Sequence, residues 1–266
     1  MKKSLFPYRL AAFAVLVALP FGCNNGPDFE APRVDISSLN RNAVISNARE
    51  IVRVDARDNE EVAEVELLIN GQSLDRDLRY PWELRWQTDH YFEGNYLLTV
   101  RARDESGNAA EDTMTVKLRD VILIHEIEIT NMCCDQAFGP QLEIEAHLYD
   151  SEGRFLGCAG EKSGLVGVNE DDTRYAVEAY FQKPPLGLEK LLFEEMKQKQ
   201  VYLKIVEDDQ DACPIQENAT RDNVSSTDDE LGRSATFAGE SLASARVMGF
   251  HDVVYLKIAA GRTTQP

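Results

Sequence analysis

Histidine is scarce in this chain, and the usual marks of catalysis are missing. There are four histidines, His90, His125, His147 and His251, and none belongs to a His-x-x-x-His or His-x-Glu metal motif. No Gly-x-Ser-x-Gly elbow, phosphate-cradling glycine loop or dinucleotide fingerprint occurs. Paired acids abound, but in so acidic a chain any two carboxylates are weak grounds for glycosidase chemistry. These absences argue for a protein that is not an enzyme. Positive charge is also in short supply, with 28 Lys and Arg against 46 Asp and Glu. Such a surface repels nucleic acid. It holds a divalent cation well only where carboxylates converge. No Cys-x-x-Cys pair is present, and no cysteine lies between Cys23 and Cys133. The first half must therefore fold without a staple. Beyond residue 19, no apolar run is long enough to span a bilayer.

What is present begins at the N-terminus. Lys2, Lys3 and Arg9 precede "LAAFAVLVAL", an uncharged run from Leu10 to Leu19 of signal-peptide length. The run ends at "PFGCNN", where Gly22 precedes Cys23. This resembles the bacterial lipoprotein cleavage site, with Pro20 where that pattern usually has leucine. The resemblance implies a cleaved leader over residues 1–22, acylation of Cys23, and a membrane anchor in the cell envelope, at the outer membrane or cell surface. Cleavage would leave 25 basic residues against 46 acidic ones. Residues 23–31 read as a short polar tether. After Cys23 four cysteines remain, Cys133, Cys134, Cys158 and Cys213. An even number in an exported chain suggests two disulfides rather than zinc.

Period-two patterning dominates the next stretch. Val52, Val54 and Ala56 alternate with Arg53, Asp55 and Arg57. Trp82, Leu84 and Trp86 alternate with Glu83, Arg85 and Gln87, and a core role suits both tryptophans better than a sugar platform. Asn70-Gly71, Glu93-Gly94-Asn95 and Ser106-Gly107-Asn108 supply the turns. These features predict a half-buried antiparallel sandwich. Ala56, Asp58, Val62, Val65, Asn70, Gly71, Pro81, Trp82, Gly94, Leu98, Val100, Ala102, Asp104, Gly107 and Asn108 then carry a resemblance. Over residues 32–118 the chain resembles the bacterial immunoglobulin-like repeat of secreted and surface proteins. That family implies a spacer, adhesion or binding module without shared catalytic residues. Asp58 and Asp104 each end an Ala-Arg-Asp triplet at the end of a strand. They can cap their own turns, or they can bridge the strand ends through calcium.

The second half is β-rich in another way. "QLEIEAHLYDSEGRFLGCAG" reads as a hairpin turning at Asp150–Gly153. Leu142, Ile144, Ala146 and Leu148 face one way. Glu143, Glu145 and His147 face the other, so His147 reads as a surface histidine. Further strands are expected at 174–181, 201–206 and 252–259. In "PPLGLEKLLFEEMKQK", Leu188, Leu191, Leu192 and Met196 share one helical face, predicting a helix against an edge or end of the sandwich. The expected class is all-β, with two tandem sandwiches over 32–119 and 120–262 and one short helix, joined where Arg119-Asp120 separates two strand patterns.

"VEDDQDACPIQENATRDNVSSTDDELG", residues 206–232, holds nine carboxylates. One reading is a solvated acidic loop; the other is a metal-binding loop. The strand "YLKIVEDDQD" and the exit "DDELG" resemble the C-two domain, a calcium- and phospholipid-binding sandwich. That resemblance implies Asp208, Asp211 and Asp229 as loop ligands and Asp135 as a ligand from an earlier loop. Gly139 stands where the family has an aspartate, and Cys213 interrupts a longer loop, so a jelly-roll or another immunoglobulin-like sandwich stays open. On the C-two layout, Cys213 would join Cys133 or Cys134, and Cys158 the remaining member of that pair. The function expected from all of this is a membrane-anchored, non-catalytic binding or adhesion module, controlled by calcium and directed at protein or glycan. The alternative is a structural or accessory envelope lipoprotein.

Overall fold

Alternating apolar residues and left-handed turn residues build the first half. The computed structural model describes residues 28–129, 144–159, 174–184, 189–207, 229–244, 247–250 and 254–264. Eight strands come first: β1 Arg33–Ile36, β2 Val44–Ile45, β3 Arg49–Arg57, β4 Val62–Ile69, β5 Gln72–Asp77, β6 Trp82–Gln87, β7 Gly94–Asp104 and β8 Ala109–Leu118. They form two sheets, β1-β3-β6 and β2-β8-β7-β4-β5. All pairs are antiparallel except β2 with β8. Between β4 and β5, Asn70 (φ +50°) and Gly71 (φ +79°) take the two left-handed positions that a two-residue hairpin turn requires.

The inward faces make one hydrophobic cluster. Val52 pairs Leu84 and Val54 pairs Trp82 in one sheet, while Leu67 pairs Val100 in the other. Trp86 is wholly buried, with the rings of Tyr91 and Tyr96 edge-on at 5.5 and 5.9 Å. Both tryptophans are core residues, as the alternation predicts.

The second half adds β9 Val121–Ile129, β10 Ile144–Asp150, β11 Phe155–Ala159, β12 Arg174–Tyr180, α1 Phe193–Met196, β13 Gln200–Glu207, β14 Asp229–Arg233, β15 Phe237–Ala238, β16 Val247–Phe250 and β17 Val254–Gly261. One sheet runs β11-β10-β13-β14, with β15 also on β13; the other runs β12-β9-β17-β16. Ile122, Ile124 and Ile127 of the second sheet meet Ala146, Leu148, Leu203 and Ile205 of the first in a separate cluster. Ile124 and Ile127 are three residues apart, yet both point inward. The register with β17 and with β12 slips there, so His125 bulges out and resets the alternation. The described residues are all-β with one short α-helix, and Arg119 and Asp120 are the two residues between β8 and β9. Among the described residues no helix is long and apolar enough to cross a membrane.

One expectation is narrowed and one is corrected. The leucine-rich segment does carry the short helix, but α1 is a single turn, Phe193–Met196, and Leu191 and Leu192 precede it. Leu191 instead bonds in the manner of a strand, donating to Phe181 O at 2.7 Å and accepting from Ile122 N at 3.2 Å. Leu192 is extended at φ −74°, ψ 137°. Leu191, Phe193 and Met196 still fill the core, and Leu188 lies outside the described residues. His147 is not a surface residue. It is 1% exposed and its Nε2 lies 2.7 Å from Glu145 Oε2, itself on a buried side chain. Burial on both faces of β10 hides the polar face that alternation would have left in water.

A bonded seam joins the halves. The last described residues run back beside β2, where Ala48 N donates to Thr263 O at 2.7 Å and Thr263 N to Ser46 O at 3.0 Å. Lys190 Nζ donates to Asn47 Oδ1 at 2.7 Å and to Thr263 Oγ1 at 2.8 Å. Arg262 Nη1 donates to Thr88 O. Asp120 N donates to Glu93 Oε1 at 2.8 Å.

Candidate metal centre

Three aspartates converge at one end of the first sandwich. Asp58 follows β3 in one sheet, Asp104 closes β7 in the other, and Asp28 lies five residues before β1. One carboxylate oxygen from each falls within 4.8 Å of the other two. Asp58 and Asp104 reach this point because their strands belong to different sheets and end together. Asp28 reaches it because its own segment is tied down. Asn108 Nδ2 donates to Asp28 O at 3.1 Å, and Asn59 Nδ2 donates to Asp28 Oδ1 at 3.3 Å.

Each carboxylate also performs the turn-capping role. Asp58 Oδ2 accepts from Glu60 N at 3.0 Å, and Asp28 Oδ1 from Glu30 N at 3.0 Å. Asp104 is 5% exposed and accepts twice from Asn108, through N at 2.8 Å and Nδ2 at 2.7 Å. Burial alone would raise the Asp104 carboxyl, but the Asn108, Gly107 and Ser106 hydrogen bonds outweigh it and hold the carboxyl below its ordinary range. Two oxygens are left over. Asp28 Oδ2 and Asp58 Oδ1 are both buried from solvent and accept no hydrogen bond. Oxygen-only donors of like charge suit a hard cation such as calcium.

The sequence marks Asp58 and Asp104 as a pair and misses Asp28, which looks like an ordinary tether residue. No local signal exposes it, because only the fold brings residue 28 beside residues 58 and 104.

Most of the other expected site residues lie outside the described residues: Cys23, Cys133, Cys134, Asp135, Asp208, Asp211 and Cys213. Asp229 opens β14 opposite Glu207. Cys158 is wholly buried on β11.

No curated protein matches the chain. Three solved structures are similar to parts of it. The fibronectin(III)-like modules of Clostridium thermocellum CbhA are 22% identical over 32% of this chain and 96% of theirs, with a TM-score of 0.30. Dimeric latent PorU from Porphyromonas gingivalis is 11% identical over 68% of this chain, with a TM-score of 0.27. The BSP domain of a biofilm associated protein is 12% identical over 68% of this chain, with a TM-score of 0.23. The chain spans 19% and 27% of the length of the latter two. Residues 32–100, from the start of the first sandwich into β7, match the family model described as a bacterial Ig domain.

Proposed function

We propose that this chain is an exported, non-catalytic module of the bacterial cell envelope, anchored by lipid on Cys23. Residues 32–119 act as a stalk domain, and residues 120–262 as a second, disulfide-stapled domain that presents contact loops to a protein or glycan. The observation that carries this reading is the bacterial Ig domain match at residues 32–100, placed directly after a short tether and a lipoprotein-like leader. Domains of that family work as binding or structural modules outside the cytoplasm. The bonded seam between the halves supports it further, since a stalk must hold its head at a fixed angle. Asp135, Asp208, Asp211 and Asp229 are assigned to calcium control of the head.

The test combines anchoring with capture. The full chain, leader included, is produced in a bacterial host, and its mature N-terminus is weighed by mass spectrometry. The expected product begins at an acylated Cys23, and Cys23→Ala releases the protein from the membrane. Envelope extract is then passed over the chain with calcium and with chelator. One stoichiometric partner that is lost when residues 206–232 are deleted supports the binding module. An acylated chain that captures nothing under either condition leaves the structural lipoprotein in its place.

A further inference from the structure

We propose that Asp28, Asp58 and Asp104 bind a calcium ion that locks the tether onto the first sandwich. Two independent observations meet here. The first is geometric: the three oxygens lie within 4.8 Å of one another. Oxygens sharing one calcium at about 2.4 Å can be no farther apart than about twice that distance. The second concerns Asp28 Oδ2 and Asp58 Oδ1. Both are buried, and neither receives a hydrogen bond. A buried carboxylate oxygen without a donor is costly, and three converging carboxylates repel one another unless a cation joins them. A cation between them removes both costs at once. The remaining oxygens of Asp28 and Asp58 are held by Glu30 N and Glu60 N, which orients the free oxygens and leaves them available. Water would complete the coordination shell, as it does in exposed calcium sites.

Calcium fits better than magnesium. The three ligands come from a tether and two strand ends, and nothing in that arrangement imposes the tight octahedron that magnesium demands. The ion would close a loop of chain. Asp28 is on the entering segment, while Asp58 and Asp104 belong to different sheets, so one bond set ties the tether to both layers. The consequence for orientation at the membrane rests on the lipid anchor at Cys23, which lies five residues before Asp28. Binding of the ion does not depend on that anchor.

The test is a calcium titration of the full chain in detergent, by calorimetry and by melting, with magnesium as a parallel probe. Protection of residues 24–32 in hydrogen exchange is followed alongside. The expected result is calcium binding in the range of extracellular modules, about 10⁻⁴–10⁻³ M, with slower exchange in the tether. Asp28→Asn and Asp58→Asn each weaken binding at least about tenfold and abolish the tether protection. Asp28 is outside every strand, so its variant keeps the fold. Asp208→Asn with Asp229→Asn leaves tether protection unchanged, separating this site from residues 206–232. Tether protection that survives in both Asp28→Asn and Asp58→Asn overturns the proposal, as does the absence of any calcium effect up to about 10 mM. Magnesium binding equal to calcium overturns the choice of ion. Failure of Cys23 acylation would sink the anchoring reading and leave this result standing.

Discussion

Asp150 shows how one carboxylate can set a hairpin. It is 4% exposed and stands where β10 ends. Its Oδ1 accepts from Glu152 N at 3.0 Å and from Arg154 N at 2.8 Å, and its Oδ2 accepts from Arg154 Nε at 2.6 Å. Gly153, at φ +82°, gives the left-handed step that turns the chain. Burial pushes the Asp150 carboxyl up, but the Arg154 hydrogen bonds, the Arg154 charge and the Glu152 amide together bring it below the usual range. A depressed carboxyl contributes stability that is present above the unfolded value, near pH 3.9, and is lost as pH falls through the folded value. Asp150→Ala should therefore cost about 1–3 kcal/mol at pH 7. The gap between wild type and variant should shrink as the pH drops below about 4. Urea melts at both pH values check this, and a gap that does not change with pH would remove the carboxylate from the explanation.

At the scale of elements, legibility depended on whether one face of a strand is wet. β3 and β6 could be read directly, because Val52, Val54 and Ala56 alternate with exposed Arg53, Asp55 and Arg57, and Asn70-Gly71 marked the hairpin. β10 could be placed but its outer face was misread, since His147 and Glu145 form a buried pair that alternation assigns to water. Leu191 and Leu192 depart from the helical reading for a different reason. Their leucine spacing is helical, yet the amide and carbonyl of Leu191 pair with Phe181 and Ile122, and tertiary pairing overrides local period. Two of the three aspartates of the candidate site are legible: Asp58 and Asp104 stand out as repeated strand ends, whereas Asp28 needs the fold. The same segment supports a prediction. Gly157 on β11 lies so close to Gln182 that a Cβ would collide with the Gln182 carbonyl oxygen and sit 3.3 Å from Leu191 Cδ2. Gln182 N and Cys158 N exchange bonds with the partner carbonyls at 2.8 and 3.0 Å, so that backbone cannot retreat without losing a bridge. Gly157→Ala should destabilise by about 1–3 kcal/mol, measured as a fall in the denaturant midpoint. An unchanged midpoint would mean that the Gln182 backbone and Leu191 yield without cost, and that the bridge between Cys158 and Gln182 adds little.

At the scale of the molecule, the described residues form two hydrophobic clusters with no residue in common, and the seam is what links the two. The contacts across it are specific. Thr263 is wholly buried and exchanges backbone bonds with Ser46 and Ala48. Lys190 binds Asn47 and Thr263 together. Burial lowers the Lys190 ammonium against the pull of Glu178 and Glu50, and burial likewise raises the Glu50 carboxyl against Asn47, Arg53 and Lys190. Both shifts have the same physical source: the seam takes charged groups partly out of water. Two backbone bonds and their side-chain neighbours amount to about 2–4 kcal/mol of coupling, enough to make two sandwiches of similar stability melt together. The full chain should then unfold in one calorimetric transition, and a chain ending at Gly261 should unfold in two, with the second half melting at the lower temperature because it also loses the Arg262–Asp120 ion pair and the Thr264 hydrogen bonds to Glu178. Lys190→Met should fall between these, broadening the transition without splitting it. A full chain that already melts in two independent steps, or a shortened chain that still melts in one, would mean that the seam does not couple the halves, and a rigid stalk and head would no longer follow from these contacts.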